Sequence, residues 1–430
     1  MQADYVVVAM SGNFVQRGAP AIIDKYARTK MALSCGADLV IELPVLWATA
    51  SAEYFAMAGV TLFDKMGCVD GICFGAETDD LDMLSMIAEI LADEPANYQA
   101  LLSSYLKDGF PFPTARSKAL CEFFSQSGTS CVQKKDRIDL TVISSILKEP
   151  NNILGIEYLK SIKRRKSALT PYVLKRNGAG YHDEEIIVTN ESNHSYELDI
   201  TSAPTASATG IRKLLHSNTF LAVSQHANSQ AYSTESELIK TLANTMPTST
   251  LEIIKEYASE HALLQANDFS SILGYQLLCL NAGTLAAIGD SNADVANRML
   301  KNRMSFTSFE QFCERNKSKD ITYTRMNRIL MHLILQITNA DYCIGKGLDY
   351  IPYLRMLGFR KNASALLKEL KRTSHIPVIS KLADASSILD MDAMQILEKD
   401  IFVANLYSQV CATKSSNTSV SEYSRNIILI

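Results

Sequence analysis

The sequence has little that would anchor it in a membrane or cross-link it. It contains no run of about 18 or more apolar residues, so no transmembrane helix is predicted. Its cysteines number 9, an odd count, and none forms a Cys-x-x-Cys pair, which argues against a disulfide scaffold or a zinc ribbon. Reduced thiols in a cytoplasmic protein are the simpler interpretation. The start, Met1-Gln-Ala-Asp-Tyr5, lacks the basic region that opens a signal peptide.

An excess of charge of one sign is also missing. Lys+Arg number 42 and Asp+Glu 46, a net charge of −4, so a generally basic nucleic-acid binder is not expected, although a local basic patch remains open. Hydrophobic residues make up 47% and charged residues 20%, which excludes a disordered, collagen-like or coiled-coil chain. At about 150 residues per domain, the 430 residues predict two or three domains.

The first third of the sequence alternates predicted strands and helices. The apolar run at 5–10 has the composition of a fully buried strand in the middle of a parallel sheet. Further elements are predicted at 24–35 (helix), 38–43 (strand), 51–66 (helix) and 71–75 (strand). This order predicts a parallel, right-handed α/β sheet, in which ligands bind at the carboxyl ends of the strands.

The rest of the chain reads differently. Residues 1–216 are predicted to form the α/β domain, with a helical insertion at about 81–148 that breaks at 109–113. Residues 217–250, rich in Ser, Thr, Asn and Ala, are the predicted linker. Residues 251–430 have helical periodicity and few strand signals, which predicts a second, mostly helical domain.

Two segments have the composition of anion-binding sites. The loop Ser11-Gly-Asn-Phe-Val-Gln-Arg-Gly18 follows a strand and could hold a nucleotide or an anionic substrate, although it is not a Walker loop and could be purely structural. Ser207-Ala-Thr-Gly-Ile-Arg212 offers hydroxyl and backbone N–H groups at a predicted helix start, with an arginine one turn on. A capped helix with a surface arginine is the alternative for this second segment.

Basic residues concentrate in two places. Residues 160–176 contain seven bases and no acid, and residues 299–335 contain seven bases and three acids. Contact with polyphosphate or RNA is one interpretation, and solvated helix faces are the other. The candidate RNA-binding residues are Lys163, Arg164, Arg165, Lys317, Lys319, Tyr323, Arg325 and Arg328.

Histidine is absent before His182, so no catalytic triad or histidine metal cluster can be assembled from residues 1–181. Glu42, Glu53 and Glu77 lie near predicted strand ends or helix starts. They could help to hold Mg²⁺, or they could cap helices.

An ordered series of motifs resembles the bacterial tRNA(Met) cytidine acetate ligase family over essentially the whole chain. The combination is specific, although no single motif is. The motifs are Met10-Ser-Gly-Asn-Phe-Val-Gln-Arg-Gly-Ala-Pro20, Asp38-Leu-Val-Ile-Glu-Leu-Pro44, Ser51-Ala-Glu-Tyr-Phe55, Pro150-Asn-Asn-Ile-Leu-Gly155, Arg176-Asn-Gly-Ala-Gly-Tyr-His182, Ser207-Ala-Thr-Gly-Ile-Arg212, Tyr323-Thr-Arg-Met-Asn-Arg328 and Tyr353-Leu-Arg-Met-Leu-Gly358.

The resemblance implies a fold and a reaction. The fold would be an α/β, Rossmann-like nucleotidyltransferase domain followed by a mostly helical domain that contacts tRNA. The enzyme would activate acetate with ATP, as its Mg²⁺ complex, to give acetyl-adenylate and pyrophosphate. It would then acetylate the wobble cytidine of elongator tRNA(Met) to N(4)-acetylcytidine, in the cytoplasm and without a DNA or membrane partner.

The resemblance also assigns residues by motif. No protein metal ligand is implied. The ATP-binding positions would be Gly75, Asn151 (preferred) or Asn152, Arg176, Ser11 and Gly12. The catalytic and phosphate-contacting positions would be Lys25, Arg17, Ser207, Thr209 and Arg212.

One feature of the family is not found in the sequence. The family begins with a strand and a loop that carries a His-x-Gly-His motif, and this sequence is expected to start after that βα unit of about 25–30 residues. Weak ATP binding is therefore expected of this chain. Two alternative functions stay open: a small-molecule adenylyltransferase, and a catalytically inactive RNA-binding homologue.

Overall fold

The computed structural model describes residues 3–126, 140–176, 208–217 and 232–430. Their contacts divide the chain into two compact units. The first comprises Met1–Ser51, Lys65–Cys68 and Gly178–Ile430, and the second comprises Ala52–Asp64 and Val69–Asn177. Of the helices in the described ranges, none is both long and apolar enough to cross a membrane.

Strands and helices alternate in the first half of the described chain, and helices dominate the second half. The strands are β1 (Val7–Ser11), β2 (Phe14–Val15), β3 (Ala19–Pro20), β4 (Leu39–Leu43), β5 (Gly71–Ala76), β6 (Thr170–Lys175), β7 (Leu354–Phe359), β8 (Val378–Ile379) and β9 (Ile428–Leu429). The first helices are α1 (Lys25–Ser34), α2 (Val45–Ala48), α3 (Ala52–Met66), α4 (Leu81–Asp93), α5 (Ala96–Lys107), α6 (Phe112–Gln126), α7 (Leu140–Ile146), α8 (Pro150–Arg165) and α9 (Ala208–Leu215). The later helices are α10 (Tyr232–Thr245), α11 (Thr248–Glu260), α12 (Ser270–Cys279), α13 (Ala282–Ala287), α14 (Ala293–Asn302), α15 (Phe309–Asn316), α16 (Tyr323–Leu335), α17 (Asn339–Gly347), α18 (Ser364–Thr373) and α19 (Met391–Ser415).

The first unit is built around a mixed sheet. β1 pairs in parallel with β4, and β4 pairs on its other side with β7, which is antiparallel to it. β8 and β9 each add to β7 in parallel. Every residue of β4 is buried, as expected for the centre of a sheet with helices on its faces. The α/β fold predicted from the sequence is confirmed.

The predicted place of the first strand is wrong. Within the described residues β1 lies at one end of the strand order, and its 5 residues are only half-buried. The central, fully buried position belongs to β4. Apolar composition makes a strand suitable for burial, but it does not determine whether the strand has a neighbour on one side or on both.

The C-terminal part of the chain is less purely helical than predicted, because β7, β8 and β9 complete the first unit's sheet. β7 shows no polar alternation, since its residues are buried on both faces, and the other two strands are 2 residues long. Helices α10 and α11 also occupy much of the predicted linker at 217–250. The boundaries predicted at 216 and 250 therefore do not coincide with the observed division.

The second unit contains a parallel pair of strands covered by helices. β5 pairs with β6, with Gly71 opposite Thr170. The sequence predicted β5 as the third strand of one parallel sheet, but among the described residues its partner is β6. The predicted helical insertion is present, and its predicted break separates α5 from α6. The core of this unit includes Leu84, Ile87, Leu120, Ile143 and Ile156.

Candidate active site

Four of the predicted ATP-binding residues lie together in the second unit, at the carboxyl ends of β5 and β6. The Arg176 backbone N–H donates to the carbonyl oxygen of Ala76 at 2.9 Å, which continues the strand pairing. A Cβ atom added to Gly75 would lie 3.5 Å from Cγ of Arg176, so the arginine side chain runs beside the glycine. Asn151 and Asn152 open helix α8 and bond to the residue two positions after Gly75. The carboxyl ends of parallel strands are where such folds bind ligands.

The start of helix α8 is fixed by Glu77. Its Oε2 accepts from the Asn152 N–H at 2.8 Å, and its Oε1 accepts from Asn151 Nδ2 at 2.6 Å and from the Asn151 N–H at 3.3 Å. In return, Asn152 Oδ1 accepts from the backbone N–H groups of Glu77 at 2.8 Å and Thr78 at 3.1 Å. Glu77 thus satisfies N–H groups that a helix start leaves open.

This arrangement gives the two adjacent asparagines different surroundings. Asn152 is 2% exposed, and its side-chain oxygen is used by the backbone of the β5–α4 loop. Asn151 is half-buried and its amide nitrogen is engaged by Glu77. The preference for Asn151 as the ATP contact stays a prediction, and the geometry favours it. Helix α8 begins at Pro150, a position of a helix at which proline is well tolerated.

In the first unit, the loop after β1 is held by its backbone. The Arg28 guanidinium donates to the carbonyl oxygens of Ser11, at 3.0 Å, and Gly12. Asn13 Oδ1 accepts from the Lys25 N–H at 2.7 Å. A Cβ atom at position 12 would overlap Oε1 of Glu42, so only glycine fits there. Sequence reasoning missed Arg28, because nothing in its local pattern distinguishes it from a surface arginine.

Lys25, predicted as catalytic, is 1% exposed. Its Nζ lies 2.8 Å from Oε2 of Glu42 and 2.7 Å from Oε1 of Glu422, and both glutamates are also buried. Burial lowers the pKa of Lys25, but the two carboxylates raise it more, so the pKa is above its ordinary value. The charge is therefore balanced inside the protein, and the predicted catalytic role of Lys25 stays a prediction.

The other predicted residues of this unit are spread over two elements. Arg17 is half-buried between β2 and β3. Arg212 is half-buried in α9, and Leu215 of the same helix packs in one cluster with Ile23. Thr209 belongs to the first turn of α9, and Ser207 lies outside the described residues. Their contact with phosphate stays a prediction.

A third buried carboxyl group, that of Asp400, lies close to Glu42. Its Oδ1 accepts from the Val45 N–H at 2.7 Å, and its Oδ2 accepts from the Tyr353 hydroxyl at 2.6 Å. Burial, followed by the charge of Glu42, raises the pKa of Asp400 to about 7. The group therefore titrates near neutral pH.

Replacing Asp400 by asparagine is expected to flatten the pH dependence of stability. A raised pKa means that the folded protein binds more protons than the unfolded chain between the ordinary value of 3.8 and about 7, so stability falls as pH rises through that window. From pH 5 to pH 7 this group should cost about 2–3 kcal/mol, and Asp400→Asn should remove that slope. Urea unfolding at several pH values measures it. Asp392→Asn, an exposed change on the same helix, should leave the slope intact, and an equal slope in Asp400→Asn would contradict the assignment.

The first predicted RNA-binding group is largely neutralised by acidic partners. Lys163 pairs with Asp93 at 2.7 Å, and Arg165 pairs with Asp64 at 2.9 Å. Arg164 pairs with Glu53 at 3.2 Å and with Glu94 at 3.3 Å. A count along one segment could not detect acids that other elements bring beside it. The positive charge of these three residues is therefore largely compensated, and their contact with RNA stays a prediction.

The second group is partly compensated too. Arg328 Nε pairs with Asp290 at 2.8 Å, and Arg325 Nη2 donates to the Asp290 carbonyl oxygen at 3.0 Å. Burial raises the pKa of Asp290, but Arg328 lowers it further, to below its ordinary value. Lys317 pairs with Glu314. Lys319 is exposed and Tyr323 is 38% exposed, so these two positions retain an open surface.

Protein ligands for a metal ion are not evident in the part of the chain that the structure describes, where His, Cys, Asp and Glu form no suitable group of three or more. The three glutamates proposed from the sequence are committed elsewhere. Glu42 pairs with Lys25, Glu53 with Lys160 at 2.8 Å, and Glu77 with the start of α8. They do not fit as Mg²⁺ ligands.

Comparison with known proteins gives consistent matches over the whole chain. The family model described as HIGH Nucleotidyl Transferase matches residues 1–422. The tRNA(Met) cytidine acetate ligase of Caldanaerobacter subterraneus subsp. tengcongensis is 36% identical over 408 residues, covering 95% of this chain and 88% of the relative. The ligase of the same name from Clostridium perfringens (strain ATCC 13124) is 34% identical over 410 residues, covering 94% and 88%.

Solved structures agree with these sequence relatives. Apo Thermotoga maritima TmcAL matches with a TM-score of 0.84 at 25% identity, covering 100% of this chain and 93% of that one. The same protein bound with alpha-thio ATP matches with a TM-score of 0.82 at 25% identity, covering 100% and 92%. The likeness therefore extends to a structure that holds an ATP analogue.

Proposed function

Because the chain belongs to the bacterial tRNA(Met) cytidine acetate ligase family, within the HIGH nucleotidyl transferases, we propose that it is an ATP-dependent ligase that acetylates tRNA(Met). The nucleotide is ATP and the acyl donor is acetate. The product is N(4)-acetylcytidine at the wobble position of elongator tRNA(Met), formed in the cytoplasm. The single observation that supports this best is the convergence of Gly75, Asn151 and Arg176 where β5 and β6 end.

The reaction has two steps whose atoms balance. An acetate oxygen attacks the α-phosphorus of ATP, the bond from that phosphorus to the bridging oxygen of the β-phosphate breaks, and pyrophosphate leaves. The exocyclic amine of cytidine then attacks the acetyl carbon, AMP leaves with the shared oxygen, and the amine loses a proton. Acetate and ATP are both anionic, so the protein must supply positive charge and fixed donors to bring them together.

We assign the parts of this task to residues of each unit separately. In the second unit, Arg176 supplies positive charge beside Gly75, where the missing side chain lets a ligand approach the backbone. In the first unit, the anionic groups are contacted by Arg17, Ser207, Thr209 and Arg212. Ser11 and Gly12 contribute their backbone from the loop that also carries Arg17. Lys25 acts indirectly, because it orders this loop through Asn13 and Glu42.

Two further partners complete the proposal. Mg²⁺ enters with the phosphates of ATP, since the glutamates nearest the strand ends are already paired. The tRNA backbone is contacted by the first unit around Lys319 and Tyr323, where a cation and an aromatic ring are exposed. The other candidate RNA-binding residues can contact RNA only by giving up part of their present pairing. In the second unit they are Lys163, Arg164 and Arg165, and in the first unit they are Lys317, Arg325 and Arg328.

Arg212→Ala is expected to impair adenylation more than tRNA binding. Loss of one charge-assisted hydrogen bond to phosphate costs roughly 1.5–3 kcal/mol, which is a fall of about 10- to 150-fold in acetate-dependent ATP–pyrophosphate exchange. Lys213→Ala, on the exposed side of the same helix, is the matched control. Filter binding of tRNA(Met) runs in parallel.

The outcomes of this experiment separate the open functions. Unchanged exchange with weakened tRNA binding would move Arg212 to the RNA surface. If the unaltered protein exchanges pyrophosphate only when acetate is replaced by another carboxylate or phosphate acceptor, it is a different adenylyltransferase. If it binds tRNA(Met) but neither exchanges pyrophosphate nor yields N(4)-acetylcytidine by nucleoside mass spectrometry, it is an inactive RNA-binding homologue, and the proposed function is wrong.

A further inference from the structure

In the contacts between the β5–α4 loop and the first turn of α8, the Glu77 side chain is always the hydrogen-bond acceptor. Glu77 can only accept hydrogen bonds as a carboxylate, and it accepts from Asn151 Nδ2 at 2.6 Å. The amide of Asn151 therefore has one possible orientation, with its nitrogen toward Glu77. Its carbonyl oxygen faces away from that carboxylate and is the acceptor that Asn151 offers a ligand, beside the second hydrogen of the amide nitrogen.

The same contacts argue against a phosphate at this helix start. A free helix N-terminus carries about half a positive charge and open N–H groups, which attract phosphate. Here the Glu77 carboxylate already accepts from the N–H groups of Asn151 and Asn152. A second anion at this position would face that carboxylate. The uncharged part of a nucleotide, its nucleoside, meets no such repulsion.

Asn152 makes the orientation rigid. Its Oδ1 binds the backbone N–H groups of Glu77 and Thr78, so the loop that carries Glu77 cannot move without breaking bonds to α8. Asn152 is 2% exposed, which removes competing water from these bonds. The loop and the helix start thus hold each other in one arrangement.

We propose that Glu77 is a positioning residue that sets nucleoside selectivity by fixing the Asn151 carbonyl oxygen toward a hydrogen-bond donor of the bound nucleoside. The donor is an N–H or O–H group, and adenosine carries both kinds, on the adenine amine and on the ribose hydroxyls. This inference rests on the proposed function only in taking ATP as the nucleotide. It assigns Glu77 no contact with the reacting atoms.

Titration of the full chain with nucleosides tests the proposal. Adenosine is compared with purine riboside, which lacks the amine, and with 2′-deoxyadenosine and 3′-deoxyadenosine, each lacking one hydroxyl, by ligand-observed NMR or calorimetry. The analogue without the donor should bind about 5- to 30-fold more weakly than adenosine. The analogue that shows the loss identifies which group Asn151 recognises.

Variants then separate positioning from folding. In Glu77→Gln the new side-chain NH2 faces backbone and amide donors, so Asn151 loses its fixed orientation. The ratio of the affinity for adenosine to that for the analogue without the donor should then fall toward one. Asn151→Ala should lose the same preference, and adding Glu77→Gln to Asn151→Ala should change it no further. Asp79→Asn, an exposed change in the same loop, should leave the preference intact. Thermal unfolding checks that each variant folds.

Each result decides the matter. A full adenosine preference in folded Glu77→Gln, or in Asn151→Ala, would overturn the proposal, as would failure of the unaltered chain to bind adenosine selectively. If Glu77→Gln does not fold, Asn151→Ala alone carries the decision. A chain that discriminates among nucleosides but forms no acetyl-adenylate would contradict the proposed function and leave this inference standing. If the unaltered chain forms acetyl-adenylate while Asn151→Ala keeps the preference for adenosine, the proposed function stands and this inference is wrong.

Discussion

Lys25→Met is expected to destabilise the protein by about 3–5 kcal/mol, because removing one partner leaves buried charges uncompensated. Glu42 and Glu422 both bond to the lysine Nζ, within 2.9 Å, and all three side chains are at most 5% exposed. Arg355 is another buried cation, and its Nη2 is 3.7 Å from Oε1 of Glu422. Urea unfolding followed by circular dichroism measures the loss.

Helix α1 offers a matched control for that change. Lys30 lies on the same helix and pairs with Glu256 at 2.7 Å, but its side chain is 43% exposed and that of its partner 65%. Exposed pairs contribute about 0–1 kcal/mol, so Lys30→Met should have a small effect. Similar losses in the two variants would show that the Lys25 charge is not isolated from water as its burial indicates.

Gly18→Ala is expected to cost about 2–4 kcal/mol, since two penalties add. The glycine has φ +71°, in the left-handed region, which alone costs an alanine about 1 kcal/mol. A Cβ atom would also lie 2.5 Å from the carbonyl carbon of Asn327 and 2.7 Å from Cα of Arg328. These are backbone atoms of α16, so relief requires the loop or the helix to shift.

Gly109→Ala isolates the first penalty. Gly109 has φ +81°, and among the described residues no atom lies within 4 Å of an added Cβ. Its cost should stay near 1 kcal/mol. The difference between the two variants, measured by thermal unfolding, is the steric contribution. If they differ by less than a few tenths of a kcal/mol, the close packing of Gly18 on α16 is not present in solution.

Local features of the fold were readable from the sequence. The helix predicted at 24–35 is observed as α1, and the side chain of Asp24 caps its start. The helix break near Gly109 and the strands β4 and β5 also lie where the sequence predicts them. In each case the signal lies within a few residues of the structure that it predicts.

Features that depend on distant residues were not readable. The sequence shows an unbroken basic segment around Arg164, but the acids that pair with it come from α3 and the α4–α5 connection. The different contacts that Glu77 makes with the two adjacent asparagines are visible only in the structure. Likewise, no residue near Lys25 in the sequence predicts its ion pair with Glu422. Partner choice is a property of the folded chain, and a local pattern does not encode it.

Contacts between early and late residues of the first unit determine when its sheet can be completed during synthesis. The Tyr26 hydroxyl donates to Glu422 across 396 positions, and β4 receives its neighbour β7 from the same late part of the chain. At 5–20 residues per second, a ribosome needs roughly 20–80 seconds to add those residues. Until β7 is synthesised, which takes most of that interval, one edge of β4 has no strand beside it, and unpaired strand edges promote aggregation. The sheet therefore closes only at the end of translation, and chaperones that shield nascent strands should matter most for this half of the molecule.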